Sequence, residues 1–156
     1  MLLKLKAIPR SALILGWAGL IPFVFGGISI WIDIPINIKL GISQMTLTYG
    51  MIILSFLGGV RWGAAMVQSY KMDAALVLSV APSLLAFATF FMPGQDASLA
   101  LSIAFIGQGF TDHAAGRDGR LPGWYPNFRV MLTIVVTGSL LSLAAWLYLL
   151  HSGQGI

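Results

Sequence analysis

Seven polar or aromatic residues in three separate segments have the chemistry to form one site. They are Arg61, Trp62, Asp112, His113, Trp124, Tyr125 and Arg129. A carboxylate and two guanidiniums can form charge-assisted hydrogen bonds, and indole and phenol rings suit a membrane–water interface. Three interpretations stay open: interfacial residues that snorkel toward water, an ion-pair lock between helices, and a site for an anionic headgroup or ligand. The apolar segments around these residues decide whether they meet.

The composition indicates that lipid is the solvent of this chain. Its 156 residues are 58% hydrophobic and 9% charged, against about 25% charged in soluble domains. The net charge is +4, but the basic residues stand singly between apolar runs, so no nucleic-acid partner is expected. Cysteine is absent, which excludes thiolate catalysis and cysteine-ligated metal.

Five uncharged apolar stretches lie between the charged residues, at 11–32, 40–60, 74–95, 97–111 and 130–150. A bilayer core of about 30 Å needs about 20 helical residues. The sequence therefore predicts an all-α, polytopic membrane bundle of five transmembrane helices in a single integral membrane domain, 1–156. The helices are predicted at about 11–32, 43–66, 74–93, 97–113 and 127–150. Four spans plus a re-entrant segment are the alternative, because the fourth stretch is short.

The connecting segments carry further predictions. Residues 33–44 are long enough for a short interfacial segment, and 112–127 form a Gly/Pro-rich cytoplasmic loop with Asn127 as the cap of the last helix. The first span is predicted to be a retained helix, because its apolar run exceeds the usual length in a signal peptide.

The basic residues predict the orientation. A cytoplasmic N-terminus and an outside C-terminus leave only Lys39 outside, which satisfies the positive-inside rule. The other basic residues then fall inside: Lys4, Lys6, Arg10, Arg61, Lys71, Arg117, Arg120 and Arg129.

The chain lacks the groups that membrane catalysis usually needs. It has no Glu, and every charge is expected at or near a span end, with no buried carboxylate to couple proton transport. His113 and His151 are predicted on opposite sides, too far apart to hold one haem in a monomer. Two aspartates around Gly116 are too few for a metal site, and no G-x-S-x-G elbow occurs. We expect no catalytic residue, no metal and no cofactor.

Small residues surround Arg61. Gly58, Ala64 and Ala65 lie three or four positions away, and Gly59 and Gly63 form a G-x-x-x-G step. Such surfaces let helices approach closely. We therefore predict helix packing through Gly58, Gly59 and Gly63, with Arg61 along an interhelical seam and Asp112 or the following loop as its partner.

Two motifs carry a family resemblance. "SFLGGVRWG" and the later "LPGWYPNFRVMLT", with an Asp at a span end between them, resemble a family of small multi-pass proteins known as a domain of unknown function. It occurs in bacteria and includes a mitochondrial relative called transmembrane protein sixty-nine. The matching positions are Gly58, Gly59, Trp62, Gly63, Asp112, Pro122, Trp124, Tyr125, Arg129, Leu132 and Thr133. The resemblance implies a bacterial cytoplasmic or mitochondrial inner membrane and brings no assigned activity.

These observations favour a non-enzymatic protein of the bacterial cytoplasmic (inner) membrane. We expect an accessory or assembly partner of a larger membrane complex, or a homo-oligomer, in contact with the lipid bilayer. The alternative is a binder or carrier of a lipid, quinone or other small hydrophobic ligand. Its pocket would lie at the cytoplasmic edge, bounded by Arg61, Asp112, Trp124, Tyr125 and Arg129.

Overall fold

The computed structural model describes residues 8–67, 72–117, 119 and 121–153, and all regular structure in these ranges is helical. The five helices of this part are α1 (Arg10–Ser29), α2 (Ile36–Met66), α3 (Met72–Thr89), α4 (Gly94–Arg117) and α5 (Tyr125–His151). The all-α prediction is therefore confirmed. Four of the basic residues that predict the orientation lie outside the described residues, namely Lys4, Lys6, Lys71 and Arg120.

Three of these helices, α1, α2 and α5, are long and apolar enough to cross a membrane, and Ala75–Thr89 of α3 is a shorter apolar helix. Large apolar side chains lie exposed on the outside of the bundle, as lipid contact requires. Phe56, Phe110 and Ile134, for example, are each at least 65% exposed.

Prolines define the starts of four helices. Pro9 and Pro35 are the N-cap residues of α1 and α2, Pro93 directly precedes α4, and Pro126 occupies the first turn of α5. Proline fits there because the first N–H groups of a helix have no partner within the helix and because its φ is already helical.

These starts correct several predicted boundaries. The α2 helix begins at Ile36, not at 43, because the N–H groups of Ile38 and Lys39 donate to the Pro35 carbonyl at 3.0 and 3.2 Å. The predicted interfacial segment is thus mostly the first part of α2. The α1 helix ends at Ser29 and α3 at Thr89, three and four residues before the predicted ends.

The predicted loop at 112–127 is also shorter. The α4 helix continues to Arg117, so Asp112 and His113 lie within it, and α5 begins at Tyr125. The predicted cap is wrong: Trp124 is the N-cap residue, and Asn127 lies inside the helix. Pro126 accounts for the earlier start, because it favours helical geometry in the first turn.

The core lies where α1, α2, α4 and α5 converge. Phe23 of α1 packs its ring edge-on against Phe105 of α4, with centroids 5.9 Å apart, and contacts Tyr49 of α2 at 5.2 Å. Polar cross-links accompany this packing: the Tyr49 hydroxyl donates to the Gly19 carbonyl at 3.2 Å, and Ser98 donates to the Leu140 carbonyl at 2.7 Å. The second bond ties α4 to α5, the pair that carries the charged residues.

Candidate functional site

The hairpin of α4 and α5 brings an acid and a base to the same depth. Asp112 lies five residues before the end of α4, and Arg129 lies four residues after the start of α5. At a rise of about 1.5 Å per residue these positions are about 8 and 6 Å from the helix ends. Because α4 and α5 pack against each other and run in opposite directions, the two side chains meet.

Asp112 and Arg129 form a buried ion pair. The Nε of Arg129 donates to Oδ2 of Asp112 at 3.2 Å, and the two side chains are 5% and 1% exposed. The expectation that the chain has no buried carboxylate is therefore wrong, because α4 continues beyond Asp112 and α5 covers it.

Gln108 completes the coordination of the carboxylate, and sequence analysis missed it. Its Nε2 donates to Oδ1 of Asp112 at 3.0 Å, and the side chain is buried. The signal was available, since residues four apart on a helix are neighbours and an amide in an apolar run needs a partner. Both carboxylate oxygens thus accept a hydrogen bond: the one from Gln108 holds the carboxylate in place within α4, and the one from Arg129 links α4 to α5.

Arg61 acts on this pair from α2. Its side chain is half-buried, and its charge interacts favourably with the Asp112 carboxylate. Among the described residues, however, the direct ion-pair partner of Asp112 is Arg129, and Arg61 and Asp112 share no hydrogen bond. The charge of one carboxylate thus interacts with two guanidiniums, and the three side chains together carry a net positive charge.

One buried nitrogen of the cluster has no hydrogen-bond partner among the described residues. The Nη2 atom of Arg129 is buried and makes no hydrogen bond in the described part of the chain. A buried guanidinium N–H without an acceptor is costly. Because this atom is covered by the protein, an acceptor from outside the chain would have to reach the cluster at the half-buried Arg61.

The aromatic residues predicted at the site divide into two groups. Trp124 and Tyr125 are half-buried at the start of α5, with ring centroids 5.8 Å apart, and Trp124 also contacts Phe128 at 6.3 Å. Trp62 is exposed, at 43% of its surface, on α2. His113 is also exposed, next to the buried Asp112.

The predicted packing glycines have different surroundings. A Cβ on Gly58 would lie 2.5 Å from the backbone carbonyl oxygen of Ser79, so this glycine permits the close approach of α2 and α3. A Cβ on Gly59 or Gly63 would meet no atom of the described chain within 4 Å. For these two, helix packing stays a prediction about contacts outside the chain.

Three helices long and apolar enough to cross a bilayer, with large apolar side chains exposed around the bundle, are the features of an α-helical membrane protein. Comparison with known protein families identifies the family: residues 8–150 match the one described as "Protein of unknown function (DUF3429)". The chain belongs to this family, which confirms the resemblance seen in its motifs.

Two curated relatives carry the name "Transmembrane protein 69". The protein from Xenopus tropicalis is 35% identical over 140 residues, which cover 87% of this chain and 54% of the relative. The protein from Mus musculus is 31% identical over 131 residues, which cover 81% of this chain and 52% of the relative. The chain thus spans about half the length of these relatives. The search of solved structures found no match.

Proposed function

We propose that the protein is a non-enzymatic accessory or assembly partner of a larger complex in the bacterial cytoplasmic (inner) membrane. In this proposal all five helices span the bilayer, with the N-terminus in the cytoplasm and the C-terminus outside. The basic residues Arg10, Arg61, Arg117 and Arg129 then lie on the cytoplasmic side, as the positive-inside rule requires. The proposal rests on one surface of α2.

This surface, the outward stripe, consists of six exposed residues. They are Met45, Ile52, Phe56, Gly59, Gly63 and Met66. Their spacings of seven, four, three, four and three residues keep them on one side of the helix. Spacings of three and four are also those by which one helix packs along another.

The two glycines point to a helix as the neighbour. A glycine inside a helix is less favourable than alanine by about 1 kcal/mol. Nothing in the described chain needs this at Gly59 or Gly63, since a Cβ there would meet open space. A foreign helix would use the gap, because small residues let two backbones approach closely within a membrane.

The state of the charged cluster supports an accessory role over catalysis. Both oxygens of Asp112 already accept hydrogen bonds, from Gln108 and from Arg129. A carboxylate that is held in this way and is only 1% exposed stabilises the α4–α5 pair and lies out of reach of a substrate.

The absence of cysteine allows a clean test by cross-linking. A single Gly63→Cys variant, treated with a thiol-reactive photo-cross-linker in native membranes, is expected to capture one protein neighbour. Gly107→Cys is the matched control, because Gly107 is another exposed helical glycine with open space around it.

Co-purification completes this test. The unmodified protein is expected to retain its neighbour in mild detergent, and Gly59→Leu with Gly63→Leu should release it, whereas Gly107→Leu should not. A protein that purifies alone from native membranes, or one whose partner survives the double leucine variant, would contradict the proposal.

The excess positive charge of Arg61 and Arg129 over the one carboxylate of Asp112 favours a second candidate function, the binding or carriage of a lipid, quinone or other small hydrophobic ligand at the cytoplasmic edge. The positive cluster of Arg61, Asp112 and Arg129, with Trp124 and Tyr125 beside it, would suit an acceptor or anionic headgroup. Native mass spectrometry is expected to detect a retained molecule that Arg61→Gln removes and Arg117→Gln, at an exposed arginine, leaves in place. Unchanged retention in Arg61→Gln would exclude this candidate.

A further inference from the structure

Lys39, the fourth residue of α2, is a basic residue that the fold buries. It is 8% exposed, and within the described chain it forms no ion pair with a carboxylate. Lysine is rarely buried unless a partner compensates its charge. Lys39 is also the exception in the predicted orientation, which places every other basic residue on the opposite side of the membrane. Its ammonium therefore points to an anion that the described chain does not supply.

A small recess between the start of α2 and the end of α5 lies next to this lysine. Its wall consists of Ile36, Lys39, Trp146, Leu149 and Leu150. The recess has a volume of about 20 Å³, which is room for roughly one water-sized group. A single oxygen atom of a larger molecule can thus enter it, while the rest of that molecule stays outside.

Two donors in the wall keep some accessible surface. The side-chain atoms that are both fully covered and unpartnered in the described chain belong to Arg129, Thr133 and Thr137. The ammonium of Lys39 and the indole N–H of Trp146 are not among them, and neither donates to a described residue. An acceptor that enters the recess can therefore reach the ammonium directly.

Capping of α5 does not account for the position of Lys39. A lysine near the end of a helix can donate to its last carbonyls. At this end, however, the backbone N–H of Ser152 donates to the Tyr148 carbonyl at 3.0 Å, and the Ser152 hydroxyl donates to the Leu149 carbonyl at 3.0 Å. Lys39 donates to neither carbonyl, so its charge remains available.

The net charge at the recess is that of Lys39. The start of α2 and the end of α5 meet there, and helix ends carry about +0.5 and −0.5 of an elementary charge. These two contributions have opposite signs and largely cancel. The unit charge of the ammonium remains, so the recess favours an anion.

The depth of the recess identifies the source of the anion. Leu149 follows Arg129 on α5 by 20 residues, or about 30 Å along the helix. This distance equals the thickness of a bilayer core, about 30 Å. With Arg129 near one edge of the membrane, the recess lies at the headgroup level of the opposite face. Every phospholipid carries a phosphate at that level.

We propose that the recess binds the phosphate of an anionic phospholipid, with one phosphate oxygen accepting a hydrogen bond from the Lys39 ammonium. An anionic lipid is favoured over a zwitterionic one, because a zwitterionic headgroup carries a cation that already compensates its phosphate. The site lies about 30 Å from the charged cluster and contains no residue of the outward stripe. It is therefore independent of both functions proposed above.

The test uses the full chain in mild detergent. Dioleoylphosphatidylglycerol is titrated in one arm and dioleoylphosphatidylcholine in the other, and native mass spectrometry measures the binding of each lipid. We expect the glycerol lipid to bind more tightly. Lys39→Met keeps a long apolar side chain, removes the charge and should weaken binding of the glycerol lipid about tenfold.

Two further variants isolate the recess from other positive sites. Arg10→Met removes the same charge at an exposed arginine and should leave the difference between the two lipids in place. The loss caused by Lys39→Met should be equally large in an Arg61→Gln background, because the charged cluster lies about 30 Å away.

Melting temperatures separate a binding role from a structural one. Without added lipid, Lys39→Met should melt no lower than the unmodified protein, because it replaces an uncompensated charge with an apolar group. Dioleoylphosphatidylglycerol should raise the melting temperature of the unmodified protein more than that of Lys39→Met, since a ligand stabilises the state that binds it.

Inorganic phosphate distinguishes the two sources of the anion. If an excess of it displaces the glycerol lipid, the recess takes free phosphate; if the lipid stays bound, the recess takes the headgroup. Equal binding of the two lipids, or tight binding that survives Lys39→Met, would overturn the proposal, because the ammonium would then only face water. A lower melting temperature of Lys39→Met without lipid would overturn it too.

Discussion

Neutralising Asp112 is expected to destabilise the bundle strongly. Asp112→Asn keeps the side-chain volume but removes the charge that compensates Arg129, whose side chain is 5% exposed. Breaking a buried ion pair by changing one partner typically lowers the free energy of unfolding by about 3–5 kcal/mol, because the other charge stays buried and uncompensated. With a shift of about 2–4 °C per kcal/mol for a chain of this size, the melting temperature should fall by about 6–20 °C.

The melting temperature can be followed by tryptophan fluorescence in mild detergent, since the chain has five tryptophans. Asp96→Asn is the matched control: it makes the same change at an exposed residue in the first turn of the same helix. Exposed substitutions of this kind usually stay within about 0.5 kcal/mol.

A double variant tests whether the loss comes from the uncompensated charge. Asp112→Asn with Arg129→Gln removes both charges and keeps groups that can hydrogen-bond with Gln108. We expect it to melt at a higher temperature than Asp112→Asn alone. An Asp112→Asn melting temperature equal to that of Asp96→Asn would refute the reasoning. So would a double variant whose loss of stability equals the sum of the losses in Asp112→Asn and in Arg129→Gln alone, because the two residues would then not be coupled.

Two further predictions concern the same melting assay. Gly58→Ala should lower the free energy of unfolding by about 1–3 kcal/mol, because its Cβ would lie 2.5 Å from the Ser79 carbonyl oxygen. Gly59→Ala is the control and should leave the free energy of unfolding of the isolated protein unchanged or higher, because open space surrounds Gly59. Equal effects of the two substitutions would contradict the packing assigned to Gly58. Gln108→Leu should cost about 1.5–3 kcal/mol, since it removes a bond to the charged oxygen of Asp112; an unchanged melting temperature would show that this bond adds nothing.

The number of helices could be predicted from the composition of the chain. Their first residues could not, because these depend on prolines at the helix starts. Uncharged apolar runs, four of them long enough for a bilayer, predicted the five helices, and apolar length is a local property of the chain. The start of α2 at Ile36 and of α5 at Tyr125 came earlier than predicted. In both cases a proline at or next to the first turn favours helical geometry, so the helix begins several residues before the apolar stretch.

The ion-pair partner of Asp112 could not be predicted from the hydropathy pattern. Sequence analysis placed Asp112, Arg61 and Arg129 at one membrane edge, and it favoured Arg61 as one half of a pair. Which guanidinium reaches the carboxylate depends on the rotation and depth of α4 against α5, and these follow from side-chain packing across the whole hairpin. The same holds for Gln108, which lies in an otherwise apolar run.

Lipid as the solvent, the helical class and the family could be predicted from the sequence, because they depend on residue types and on motifs read along the chain. The burial of Asp112 between Gln108 and Arg129 emerged only from the packing of the helices. The same packing sets Gly58 against a neighbouring helix and Gly59 against open space, and it buries the hydroxyls of Thr133 and Thr137 without a partner in the described chain. A contact between two helices depends on how the helices are rotated against each other. That rotation results from packing over their whole length, so no short segment of the sequence specifies it.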